Sequence, residues 1–248
     1  MILRDLHIHT TYCDGKNTPE EMVVEAIEKG MENIGFSGHS YRYFDESYCM
    51  SQANTELYIR EINALKEKYK GKIEILCGIE QDVFSDNKIE DFDYVIGSVH
   101  YLKVGEKYFP IDESKDDFCR TVEEHFGGDF IAAAEQYFAQ TELLAKKKID
   151  IIGHFDLITK FNEADNLFDT NDARYIAAAK RAIDTLIPLG IPFEINTGAI
   201  FRGYRSEPYP APLLIDYIKA NGGKFVLSSD SHSKKSLCFE FDKWNKLL

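Results

Sequence analysis

Short apolar or β-branched runs recur along the 248 residues, and between most of them apolar side chains return at spacings of three and four. Continuous apolar runs suit strands covered on both faces, and the second spacing gives one buried stripe of a helix. The alternation therefore predicts a parallel sheet with crossover helices, an α/β fold. Seven strands are expected, near residues 2–8, 33–37, 73–78, 94–98, 149–153, 192–195 and 224–227. The first helix is the best defined: Thr18 caps it, Pro19 suits its first position, Glu21 completes a capping box and Gly30 ends it. Met22, Val23, Ala26 and Ile27 form its apolar stripe. Similar stripes run through Tyr58, Ile62, Leu65 and Tyr69, through Ile131, Ala134, Phe138 and Ala145, and through Ile176, Ile183 and Ile187. A last helix is expected over residues 211–220, stopped by Asn221-Gly222-Gly223. Residues 101–128 lack strong periodicity and read as a long excursion after the fourth strand. Residues 41–53 are a second candidate cover for a site.

Composition narrows the classes. A hydrophobic share of 44% against 29% charged residues is enough for a packed core, and the length suits one domain over residues 1–248. The formal charge of −13 disfavours binding to a long polyanion, so no nucleic-acid partner is expected. A small phosphorylated substrate stays compatible, because bound divalent cations invert the local field. Cys13, Cys49, Cys77, Cys119 and Cys238 are scattered, with no C-x-x-C pair, which suggests neither a disulfide framework nor a thiolate zinc site. No leader pattern or membrane-length apolar run is visible, so the expected location is cytoplasmic.

The chemistry lies in where the histidines fall. His7 and His9 close the first strand two residues apart, on one face. His39, His100, His154 and His232 follow the second, fourth, fifth and seventh strands. Glu80 follows the third strand, Glu194 ends the sixth, and Asp230 precedes His232 by two residues. In parallel β/α architectures the carboxyl ends of all strands open on one side, so these groups can converge as a metal site. Imidazole with carboxylate and no thiolate suits catalytic zinc, manganese or iron rather than a structural zinc. Only His125, in E-E-H-F-G-G, lies away from a strand end, and it is assigned no role.

The segments D-L-H-I-H-T-T-Y-C-D-G (5–15), G-F-S-G-H-S (35–40), G-I-E (78–80), G-S-V-H (97–100), G-H-F-D (153–156), F-E-I-N-T (193–197) and S-S-D-S-H (228–232) resemble, in order, the polymerase-and-histidinol-phosphatase (PHP) superfamily. Y-I-R-E-I-N-A-L-K-E-K-Y-K-G-K-I-E-I-L-C-G-I-E, D-Y-V-I-G-S-V-H-Y-L, G-H-F-D-L-I-T-K-F and E-I-N-T-G-A-I-F-R-G-Y-R-S-E-P-Y-P are similar to its histidinol-phosphate phosphatase branch. The resemblance implies a distorted seven-stranded (β/α)7 barrel with two or three divalent metal ions. One would be held by His7, His9, Glu80 and Asp230, a second by the bridging Glu80 with His100 and His154, and a third by Asp14, His39 and His232. Many relatives carry histidine where this chain has Asp14. The implied activity is hydrolysis of L-histidinol phosphate to L-histidinol and phosphate, a step of histidine biosynthesis.

Water activated at such metals would attack phosphorus in line without a phosphoenzyme, and Asp230 or His232 would move the proton to the leaving alkoxide. Arg202, in a segment the resemblance associates with phosphate binding, is the expected phosphate ligand, with Arg205 as substitute. Glu113, Tyr43 and Tyr101 are candidates for the cationic part of the substrate. Glu194 is read either as a carboxylate orienting a metal-bound histidine or as a buried acid paired with Arg or Lys. The competing readings are a broader phosphoesterase acting on nucleotides or sugar phosphates, and a metal-binding regulatory module without turnover.

Overall fold

The strand pattern closes on itself. In the computed structural model, which describes residues 3–248, seven parallel strands form one sheet: β1 (Arg4–Asp5), β2 (Asn33–Phe36), β3 (Glu74–Asp82), β4 (Tyr94–Ser98), β7 (Ile151–Ile152), β8 (Pro192–Asn196) and β9 (Lys224–Ser228). β5 (Tyr101–Val104) and β6 (Lys107–Pro110) make a separate antiparallel hairpin. Beyond the ends of β1 and β9, a parallel bridge joins Ile8 to Ser231: His9 N–H donates to the Ser231 carbonyl at 2.8 Å and Ser231 N–H to the His7 carbonyl at 2.9 Å. These bonds bring the edge strands together and nearly close the distorted seven-stranded barrel.

Each expected strand is present, with shifted ends. Of the run 2–8, Arg4 and Asp5 form the strand, Ile8 makes the bridge, and Ile2 lies outside the described residues. β3 runs on to Asp82, which places Glu80 inside the strand rather than after it. The helix α1 (Pro19–Glu28) carries the expected capping box, with Thr18 accepting from Glu21 N–H and Glu21 from Thr18 N–H. α2 (Gln52–Lys68), α4 (Phe130–Thr141), α5 (Ala173–Leu186) and α6 (Pro212–Ala220) follow the other predicted stripes. The stretch 101–128 is more ordered than its sequence suggests. It holds the hairpin and α3 (Lys115–Phe126), whose stripe of Phe118, Thr121 and Val122 is too short to register as periodicity. His125 ends α3 against the Phe109 ring, away from the other histidines. All five cysteines are free thiols, and no described helix is long and apolar enough to cross a membrane.

Period-two alternation sorts the strand side chains. Cys77 and Ile79 of β3 and Val95 of β4 pack outward into the main core with the helices. Leu76, Tyr94, Ile96, Ile151 and Val226 turn inward and meet Leu6 in a separate apolar plug. Tyr94 spans the barrel, its single hydroxyl proton shared between the carbonyls of Leu6 and Phe36, which lie at 2.6 and 3.0 Å. Its ring fits only because Gly35 and Gly78 have no side chains, a Cβ at Gly78 falling 2.3 Å from Tyr94 Cζ. Two more steps along the same inward columns, past Gly78, Ser98 and Ser228, reach Glu80, His100 and Asp230, so the plug is the floor beneath the polar groups.

Gly78→Ala is expected to displace the Tyr94 ring and lower stability by about 1–3 kcal/mol, the usual cost of overpacking. Thermal unfolding checks this. A variant melting with the wild type would show that the barrel floor has room to spare.

Candidate metal centre

Glu80, fully buried, is the hub. Its Oε1 lies 3.2 Å from His100 Nε2 and 3.0 Å from His154 Nε2, while Oε2 lies 2.8 Å from His39 Nδ1, 3.4 Å from His7 Nε2 and 3.7 Å from His9 Nε2. The two oxygens thus face two sets of imidazoles, the geometry of a bridging carboxylate. Asp230 Oδ1 adds contacts of 3.3 Å to His9 Nε2 and 3.8 Å to His7 Nε2. On the outer side, Asp14 Oδ2 lies 3.0 Å from His232 Nε2 and 3.7 Å from His39 Nε2, and Asp14 Oδ1 lies 3.6 Å from His9 Nδ1.

Donor atoms fall into four overlapping groups, His7–His9–Asp230, His7–Glu80–His154, His39–Glu80–His100 and His9–Asp14–His39–His232, with the atoms of each within 4.8 Å of one another. All nine ligands expected from the sequence are therefore brought together. The partition is less strict than expected, since His7 also joins Glu80 and His154, and His9 also faces the Asp14 group. The residues fit metal ions: His7 Nε2, His9 Nε2 and Glu80 Oε2 are buried without hydrogen-bond partners, and lone pairs left so are costly unless a cation takes them.

Surrounding carboxylates set the imidazoles. His7 Nδ1–H donates to Glu194 Oε1 at 2.7 Å, which turns the lone pair of Nε2 toward the cluster. Glu194 Oε2 accepts from His154 N–H and Asn196 Nδ2. Its observed partners are thus the centre's own elements rather than an arginine or lysine. His100 Nδ1–H donates to Asp82 Oδ2 at 3.1 Å in the same way. Asp82 escaped the sequence reading, although it stands two residues beyond Glu80 on the same strand face. Asp230 itself adopts a left-handed backbone, φ 49°, a sparsely populated region for a non-glycine residue that is often found at functional sites.

The electrostatics suit a cluster awaiting cations. Burial raises the Glu80 and Asp230 pKa values, but His100, His7 and His39 around the first, and Arg202 and His7 beside the second, outweigh it and hold both carboxyls well below the usual range. Burial lowers the pKa of His100, yet Glu80 and Asp82 reverse this and push it up to about 10. His9, desolvated and close to His232 and His39, falls to about 3. A metal ion bound in the cluster would compete with protons for the ring nitrogens.

The centre opens into a cavity of about 410 Å³. Arg202, Lys160, Asp112, Glu113 and Tyr48 line it beside the histidines. Arg202 donates to Asp230 Oδ2 at 2.8 Å, which places its guanidinium against the cluster. Arg205, the substitute candidate for phosphate, does not line this cavity. It packs over Tyr209 with Nη1 4.0 Å from Asp156 Oδ2, lining a different hollow, so its charge is spent within the fold. Lys160 is the cation the sequence reading missed. Its position in the turn after His154 is not set by strand alternation. Of the three residues expected around the substrate's cationic part, only Glu113 lines the cavity. Tyr43 is exposed and bonded to Tyr108, and Tyr101 is buried with its hydroxyl on Asp45.

Glu80→Gln keeps the shape and removes the bridging charge. It should fold but lose metal and nearly all phosphate release, and full activity would reject the bridge. Glu194→Gln, which loosens His7 without touching the cluster, should weaken metal binding roughly 10–100-fold. Elemental analysis after dialysis against graded chelator reads both.

A family model for the PHP domain matches residues 5–198. A "Probable histidinol-phosphatase" of Deinococcus radiodurans is 32% identical over 96% of this chain and 90% of its own length. Among solved structures, a Listeria monocytogenes chain named HisK superposes with a TM-score of 0.84 at 22% identity, covering 97% of this chain and 99% of that one. The histidinol phosphate phosphatase of Lactococcus lactis, solved with zinc, L-histidinol and phosphate, gives 0.74 at 23%, covering 99% and 94%. Matched along nearly its whole length, and with its imidazoles and carboxylates drawn to one barrel mouth, the chain belongs to the PHP superfamily of metal-dependent phosphoesterases, within its histidinol-phosphatase branch.

Proposed function

We propose that this chain hydrolyses L-histidinol phosphate to L-histidinol and phosphate, using two or three zinc, manganese or iron ions. The observation that carries the reading is the single cavity in which the buried ligand cluster meets both cations, Arg202 and Lys160, and acids, Asp112 and Glu113. A phosphate ester bearing a cationic amine needs both kinds of partner. The Lactococcus lactis relative solved with L-histidinol and phosphate supports the same substrate.

His7, His9, Glu80 and Asp230 would hold one metal, Glu80, His100 and His154 a second, and Asp14, His39 and His232 a third. Bound there, the metals would activate water toward a pKa of about 7 and neutralise charge on the phosphoryl oxygens. Asp230 or His232 would move the proton to the departing alkoxide. Both line the cavity, Asp230 buried and His232 partly exposed. Arg202, anchored by one terminal nitrogen on Asp230 Oδ2 and by the other on the Asp230 carbonyl and His232 Nδ1, would present its guanidinium to the phosphate. Lys160 donates to the Asp112 carbonyl at 2.5 Å and supplies a second positive charge to the same wall.

A panel of phosphomonoesters tests this. Histidinol phosphate should exceed nucleotides and sugar phosphates by at least about a hundredfold in kcat/KM, since a site built for particular polar groups rejects analogues lacking them. A flat panel would point to the broader phosphoesterase, and metal content with no turnover to a regulatory module. Arg202→Ala should lower kcat/KM about a hundredfold, as the loss of a phosphate clamp does. An unchanged value would remove Arg202 from the site.

A further inference from the structure

The loop between β2 and α2 holds a side chain that the chemistry above does not use. Arg42 is among the largest fully buried side chains of the protein, yet its Nε and one terminal nitrogen have no partner. Its other terminal nitrogen donates to the Tyr48 hydroxyl at 2.7 Å, and its guanidinium carbon lies 4.0 Å from the Tyr48 ring centroid and 5.2 Å from that of Tyr101. Besides that hydrogen bond and the two ring faces, the carboxylates of Asp82 and Asp45 lie near enough to act on its charge. Its direct hydrogen bond and its nearest ring contact both fall on one tyrosine, and they fix that ring.

That ring is Tyr48. It lies nearly parallel to Tyr101 at 6.5 Å, and Tyr101 is tied back to the same loop by its hydroxyl on Asp45 at 2.5 Å. The Tyr48 ring stands perpendicular to the His39 imidazole, with centroids 4.9 Å apart and an interplanar angle of 85°. Among the described residues, Tyr48 is the only tyrosine, phenylalanine or tryptophan lining the metal cavity, where Asp112 and Glu113 are the carboxylates outside the ligand cluster.

We infer that Tyr48, locked by Arg42, is the specificity residue that receives the imidazole ring of the leaving group, and that Arg42 is its positioning residue. This deepens the function proposed above and rests on it. The substrate has three parts with different needs: the phosphate takes the metals and Arg202, the ammonium takes the carboxylates, and the ring takes a flat, preorganised aromatic wall. Arg42 holds that wall without contact with the substrate.

The discriminating comparison is between histidinol phosphate and O-phosphoethanolamine, which keeps the phosphate and the ammonium but has no ring. In the metal-loaded enzyme, Tyr48→Leu should lose about tenfold more kcat/KM on the first than on the second, mostly through KM, as expected for one aromatic contact. Tyr48→Phe should retain most of the preference. Arg42→Met should lower it through KM while metal content stays at the wild-type level, which a merely structural role would not produce. Calorimetry supplies a readout without turnover: L-histidinol should bind Tyr48→Leu more weakly, with the affinity for inorganic phosphate altered much less. If Tyr48→Leu slows both substrates equally, or binds histidinol as the wild type does, the inference is overturned while the function stands. If the wild-type enzyme itself shows no preference for histidinol phosphate over O-phosphoethanolamine, the functional reading and this inference fall together.

Discussion

A carboxylate buried among imidazoles is the constraint on which the rest of the structure depends. Glu80 faces five histidines from the wall of the barrel, and its Oε2 has no hydrogen-bond donor aimed at it. A charge so placed is unfavourable in a packed protein unless cations occupy the space between the ligands. The surrounding structure serves that requirement. Glu194 and Asp82 orient two of the imidazoles, and the β1–β9 closure brings Asp230 to the histidines of the first strand.

The barrel interior divides into a dry floor and a wet mouth. Tyr94 and its apolar neighbours fill the floor, and the two glycines beneath the ring leave it just enough space. This is the usual solution for a small parallel barrel, whose inside is a packed core rather than a pore. The floor gives the ligands a rigid base, so their lone pairs converge without a reorganisation cost at binding. Because period-two alternation continues from floor to mouth, the same strands that build the core also present the chemistry.

The cavity beside the cluster is walled by elements outside the barrel. The loop carrying Arg42 and Tyr48, the residues after the β5–β6 hairpin and the turn after His154 each contribute a wall of the cavity. These segments differ in kind from the strands: they are held by side-chain contacts distant in sequence, such as Tyr101 on Asp45 and Lys160 on Asp112. The ligand cluster and the rest of the cavity wall are thus built by separate parts of the fold.

The amino-acid sequence by itself determined the parallel α/β pattern, the capped first helix and the set of imidazoles and carboxylates at the strand ends. Each depends on local rules, strand and helix periodicity or capping, that can be read within a few residues. It also contained Asp82, in register with Glu80, had the third strand been extended by four residues. Only the tertiary structure decided that Arg202 meets the ligand cluster while Arg205, three residues on, turns to Asp156 and Tyr209. It likewise decided that Lys160 and Tyr48 line the cavity while Tyr43 and Tyr101 do not. Those side chains stand on loops and turns, where no period fixes a direction and where contacts from remote parts of the chain select the conformation.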